Sequence, residues 1–95
     1  MKSKLYVNGL LLDVRTVEEY EDGHIDGAVN IPHLKVTAEK ILELSNNEKN
    51  KSIVIYCKSG RRAGFVKTLL ESNGFTNVYN VGGMEDYLSL EKEEK

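Results

Sequence analysis

The chain of 95 residues holds one cysteine, one proline and no tryptophan. A single cysteine excludes an intramolecular disulfide framework and a cysteine-based metal cage. The two histidines, His24 and His33, bring no second set of ligands, so neither a metal site nor a cofactor is expected. No apolar run approaches the roughly 20 residues of a membrane span. The start, Met1-Lys2-Ser3-Lys4-Leu5-Tyr6-Val7, is basic and then apolar, but Asn8-Gly9 interrupts it and no small-residue cleavage site follows. It reads as a first strand rather than a signal peptide. A cytoplasmic setting, where a free thiol persists, is expected. The formal charge of -2 argues against a generic nucleic-acid binder, so neither nucleic acid nor membrane is expected as a partner.

Acidic residues are also missing locally. Between Lys49 and Leu70 stand six bases (Lys49, Lys51, Lys58, Arg61, Arg62, Lys67) and no acid. That segment is expected to be electropositive and to suit a small anionic substrate. The hydrophobic fraction of 40% and charged fraction of 29% are those of a soluble globular protein. The length allows one modest core, so residues 1–95 are expected to form a single domain, with 91–95 a frayed tail.

Leu5-Tyr6-Val7, Asn8-Gly9 and Leu10 to Val14 read as an edge strand, a tight turn and a buried strand. Thr16 and Glu19 have capping-box spacing, predicting a short helix to about Asp22, ended by Gly23. Ala28 to Ile31 is a short strand stopped by Pro32. A helix is expected over about Val36–Leu44, with a polar loop after it. Ile53-Val54-Ile55-Tyr56 is uniformly apolar, as in a central parallel strand covered on both faces. Arg62 to about Ser72 is helical, with Gly74 just beyond its end. Val78 to Val81 is a strand, Gly82-Gly83 a turn, and Met84 to about Leu90 a last helix. The alternation predicts a three-layer α/β domain, a mostly parallel central sheet with helices on both faces.

The one cysteine, Cys57, ends the central apolar run and begins the loop Lys58-Ser59-Gly60-Arg61-Arg62. Most lone cysteines are inert core residues. This one lies at the carboxyl end of a strand, where open α/β sheets bind ligands. Lys58 to Ala63 can curl so that successive N–H groups form an anion-binding nest, and Gly60 permits the backbone conformation this needs. Arg61 and Arg62 add permanent charge, and Arg62 could grip an oxyanion through its planar fork. Together these should lower the Cys57 pKa below the ~8.5 of a free thiol.

Four segments, in order, resemble the rhodanese-like sulfurtransferase family: Leu11 to Tyr20 its "LLDVR…EEY" stretch, Gly23 to Pro32 its "GHIxGAxNIP" stretch, Val54 to Ala63 its active-site strand and "CRSGxRS" loop, and Gly74 to Met84 its "GFxxVxxLxGG" stretch. The resemblance implies that Cys57 takes sulfane sulfur from a donor such as thiosulfate and becomes a persulfide. Cyanide or a thiol, on a small molecule or a sulfur-relay protein, then removes it. The implied substrate-binding residues are Lys58, Ser59, Gly60, Arg61, Arg62 and Ala63, with Asp13 and Arg15 as structural support. Lys58 replaces an arginine common in the family, and Tyr87 stands near a frequent tryptophan. The stretch before Asp13 is shorter than usual, so an early helix is expected to be missing. The family motif places His24 away from the cysteine, in packing.

Loop length separates the nearest rival. Related cysteine phosphatases need five residues between cysteine and arginine, whereas four separate Cys57 from Arg62. The tighter ring suits one sulfur and disfavours a phosphoryl group. A monomer is expected. A carrier module loaded by a partner enzyme stays open as the alternative to a thiosulfate enzyme.

Overall fold

The structure, a computed structural model, describes the backbone of residues 9–93 and side chains through Ser89. The expected edge strand at 5–7 and the Asn8 half of its turn lie outside the described residues. Four strands, β1 (Leu10–Asp13), β2 (Val29–Asn30), β3 (Ile53–Cys57) and β4 (Val78–Gly83), form a parallel sheet in the order β2-β1-β3-β4. The described helices are α1 (Val17–Glu21), α2 (Ala38–Leu44), α3 (Arg61–Ser72) and α4 (Met84–Glu93). The expected α/β architecture, with a parallel sheet between two helical layers, is what forms.

Strand β3 shows why the sheet must be covered twice. Ile53, Ile55 and Cys57 face one core with Leu12, Ile41, Ala63, Val66 and Leu70, while Val54 and Tyr56 face the other with Leu11, Ile25 and Tyr87. All five β3 residues are buried. Burying one such aliphatic side chain contributes roughly 1.5–3 kcal/mol, which fixes the strand in the middle of the molecule.

Strand β2 is shorter than expected, Val29–Asn30, helix α3 starts one residue earlier, at Arg61, and three further boundaries differ from the sequence expectation. The stretch before α2 is a 3-10 turn at His33–Lys35, then extended Val36, and α2 begins only at Ala38. Thr37 starts it by accepting the Lys40 N–H at 3.1 Å, a local cap that the apolar pattern did not register. Gly82-Gly83 is not a free turn, because β4 continues through both. Ile55 pairs with Asn80 and Cys57 with Gly83, so two steps along β3 match three along β4 and the strand bulges. Gly82, at φ 92°, supplies the bulge conformation. Helix α4 starts at once, with the Gly83 N–H held by Asp86 Oδ2 at 2.8 Å, and runs to Glu93 rather than stopping near Leu90.

Candidate active site

Cys57 is the last residue of β3 and is fully buried, and the loop that follows it turns its backbone N–H groups toward the sulfur. Burial pushes the thiol pKa up. The N–H groups of Ala63, Ser59, Gly60 and Arg62 all stabilise the thiolate, and together they outweigh burial, leaving Cys57 below its ordinary value. The Gly60 N–H is 3.0 Å from Sγ. The ring is small because Gly60 sits in the left-handed region, at φ 95°, and starts α3 immediately. The positive end of a helix of 12 residues therefore lies against the sulfur.

The ring is braced from β4. Asn80 Nδ2 donates to the Gly60 carbonyl at 2.9 Å, and Asn80 Oδ1 accepts from the Gly82 N–H at the same distance. A Cβ on Gly83 would stand 2.2 Å from the Lys58 carbonyl oxygen, and one on Gly60 3.1 Å from the Gly82 Cα. The bulge thus carries the end of β4 against the loop, where only glycines permit the approach. Sequence patterning identified the glycines but not Asn80, whose partner lies 20 residues earlier.

The arginines have different fates. Arg62 does not reach over the sulfur with its fork: Nη1 and Nη2 bond the Glu19 carboxylate at 2.8 and 3.1 Å. That contact, with the Thr16 N–H, holds Glu19 down at about 2. Glu19 therefore ends α1's capping box and clamps α1 to the start of α3. Its capping role was legible, but its bond to a residue 43 positions away was not. Arg61 is exposed at the start of α3. Lys58 is exposed and lines the cleft, Ser59 borders a shallower hollow beside it, and Ala63 is buried under the ring.

Asp13 and Arg15 form a buried pair at the end of β1, with Nη2–Oδ2 at 2.7 Å. The same Nη2 donates to the Gly23 carbonyl at 2.7 Å, and the guanidinium lies 5.5 Å from the Tyr56 ring centre. Hydrogen bonding to Asp13 raises the Arg15 pKa further. Tyr56 accepts from the Ile25 N–H at 3.0 Å, and burial pushes its hydroxyl up. His24 stacks on Tyr20 at 3.7 Å and shares a 2.8 Å hydrogen bond with its carbonyl. Among the described residues, no group of three or more histidines, cysteines or carboxylates is placed to hold a metal, and no helix is long and apolar enough to cross a membrane.

An open cleft of about 510 Å³ leads to Cys57, lined by Arg15, Glu19, Asp22, Lys58, Met84, Glu85 and Asp86, with Gly83 at its edge. Its charge corrects the electropositive expectation. Arg15 is neutralised by Asp13 and Glu19 by Arg62, which leaves Lys58 facing Asp22, Glu85 and Asp86. The acid-free window from Lys49 to Leu70 is real in sequence, but chain folding brings acids from α4 and the end of α1 to the mouth. Lys67 is turned to Glu71, 2.9 Å away. The positive field at the sulfur comes from the backbone ring, while the described side chains lining the mouth carry more negative than positive charge.

The profile of the Rhodanese-like domain family matches residues 1–90. The thiosulfate sulfurtransferase PspE of Escherichia coli is 41% identical over 75 residues, covering 79% of this chain and 70% of that protein. The solved "rhodanese with anions from E. coli" superposes with a TM-score of 0.75 at 38% identity, covering 82% of this chain and 89% of that one. The human single-domain sulfurtransferase TSTD1 does so with a TM-score of 0.58 at 31% identity, covering 86% and 82%. The tRNA uridine(34) hydroxylase of Sodalis glossinidius is 36% identical over 88 residues, 90% of this chain but only 25% of the hydroxylase.

Proposed function

The chain belongs to the rhodanese-like domain family, and on that premise we propose that it is a sulfurtransferase working through a persulfide on Cys57. The observation that carries this is the ring of N–H groups from Ser59, Gly60, Arg62 and Ala63 around a buried sulfur. In the first half-reaction, the thiolate attacks the outer sulfur of thiosulfate or a similar donor. A Cys57–S–S bond forms, the donor's S–S bond breaks, and sulfite departs with the electron pair. The terminal sulfur carries the negative charge and takes the place the thiolate held, inside the same amide ring.

In the second half-reaction, cyanide or a thiolate attacks that terminal sulfur and Cys57 leaves as thiolate. No proton relay is required, because the nucleophile is already ionised and the leaving group is stabilised as an anion. Similarity to PspE and TSTD1, both named as sulfurtransferases, supports the reaction class. A second reading, a carrier loaded by a partner's persulfide rather than by thiosulfate, draws on the acidic mouth, which opposes entry of a dianion. A thiosulfate-to-cyanide assay against a Cys57→Ala control tests the proposal. Wild-type turnover above the control is expected, and equal rates with both thiosulfate and a persulfide donor would sink it.

A further inference from the structure

The cleft is larger than its chemistry with a small anion requires. At about 510 Å³ it falls in the range of pockets that enclose drug-sized ligands, many times the bulk of thiosulfate. Its walls are of the wrong sign for an anion beyond the amide ring. Asp22 and Glu85 are exposed and line the mouth, and among the described residues their side-chain carboxylates form no hydrogen bond or ion pair. Asp86, by contrast, is engaged in starting α4 through the Gly83 N–H. Among the described residues, Lys58 is the one cation lining the cleft without a carboxylate partner. Met84 adds an apolar side chain to the lining. The site therefore has two zones: an inner ring that holds one anionic sulfur, and a wide outer mouth with uncompensated negative charge.

We propose that the thiol accepting sulfur from Cys57 is a cysteine on a polypeptide segment with basic residues beside it, selected by Asp22 and Glu85. This rests on the sulfurtransferase reading of the site. The acceptor thiolate attacks the outer sulfur of the Cys57 persulfide. The new S–S bond uses the acceptor's electron pair, the Cys57–S bond breaks, and that pair returns to Cys57 as thiolate. One persulfide and one thiolate become one thiolate and one persulfide, with no outside oxidant or reductant. Flanking lysine or arginine ammonium and guanidinium groups would sit against Asp22 and Glu85 while the thiolate reaches into the ring. Neither zone could serve the other's purpose, since carboxylates in the ring would expel the sulfur anion.

The test uses the full chain carrying persulfide, and three peptides of equal length whose single cysteine is flanked by lysine, serine or glutamate. Transfer is followed by peptide mass, with wild type compared to the D22N/E85Q double variant so that intrinsic thiol reactivity cancels. Wild type is expected to favour the lysine peptide over the glutamate peptide by roughly tenfold more than the variant does at low salt. That excess should fade as ionic strength rises. Loading of the variant by thiosulfate should become faster, a change of opposite sign that loss of structure would not produce. Equal peptide ratios in wild type and variant would overturn this inference while leaving the sulfurtransferase reading intact. A protein that never gains sulfur from any donor overturns both.

Discussion

The inner ring and the outer mouth of this site are built from different parts of the chain. The ring is backbone: N–H groups of four residues within one short loop and helix start, shaped by Gly60 and closed from behind by Asn80 and the β4 bulge. The mouth is side chain, and its acids come from α4 and from the end of α1. A backbone ring is set by local conformation and resists alteration by most substitutions, whereas each charge of the mouth can be changed alone. Reactivity of the sulfur and the charge met by an approaching molecule are therefore separable. That separation can be broken at known points.

The largest effect falls on the nucleophile itself. Cys57→Ala should reduce sulfur transfer to background while leaving the fold intact, as followed by turnover and circular dichroism, because alanine fits the same buried position. Next is Gly60→Ala. At φ 95°, with the new methyl 3.1 Å from Gly82 Cα, it should cost at least about 1–2 kcal/mol in a denaturant melt. Loss of ring geometry should also raise the Cys57 pKa. Alkylation by iodoacetamide at neutral pH should then slow relative to wild type. In wild type, the alkylation midpoint should fall below the ~8.5 of a free thiol.

Asn80→Ala is a gentler cut at the same ring. It removes the donor to Gly60 O, so a loss of about 1 kcal/mol is expected by chemical denaturation, with a smaller slowing of alkylation than Gly60→Ala gives. The smallest effect belongs to Glu19→Gln. Arg62 holds Glu19 at about 2 against an ordinary 4.5, so the pair's contribution is complete above pH 4.5 and is lost as pH falls through about 2. With both side chains partly exposed, solvent screening limits it to about 0.5–1 kcal/mol at neutral pH. The variant's stability should be flatter than wild type between those two pH values.

Much of this was legible in sequence for physical reasons that are local. The uniformly apolar Ile53 to Tyr56 run had to be a doubly covered strand, and the spacing of Thr16 and Glu19 had to cap a helix. Gly60 was readable because only glycine fits the left-handed start of α3 so cheaply. What was not legible depends on long-range pairing. The fork of Arg62 was expected over the donor and instead binds Glu19, a contact set by how α1 packs beside α3. The mouth's charge was misjudged because a window of sequence records neighbours along the chain, not those brought in by α4. The bulge at Gly82 was hidden for the same reason, since it exists only as a mismatch between two strands.

The most direct measurement is the intact mass of the protein after exposure to thiosulfate or a small persulfide donor. Cys57 is the only thiol, so nothing within the chain can resolve a persulfide once formed. The expected product is heavier by one sulfur atom, returns to its original mass with a dithiol, and is absent in Cys57→Ala. A mass that stays unchanged with every donor, while the cysteine remains free to alkylate, would contradict the assignment of Cys57 as a sulfur carrier.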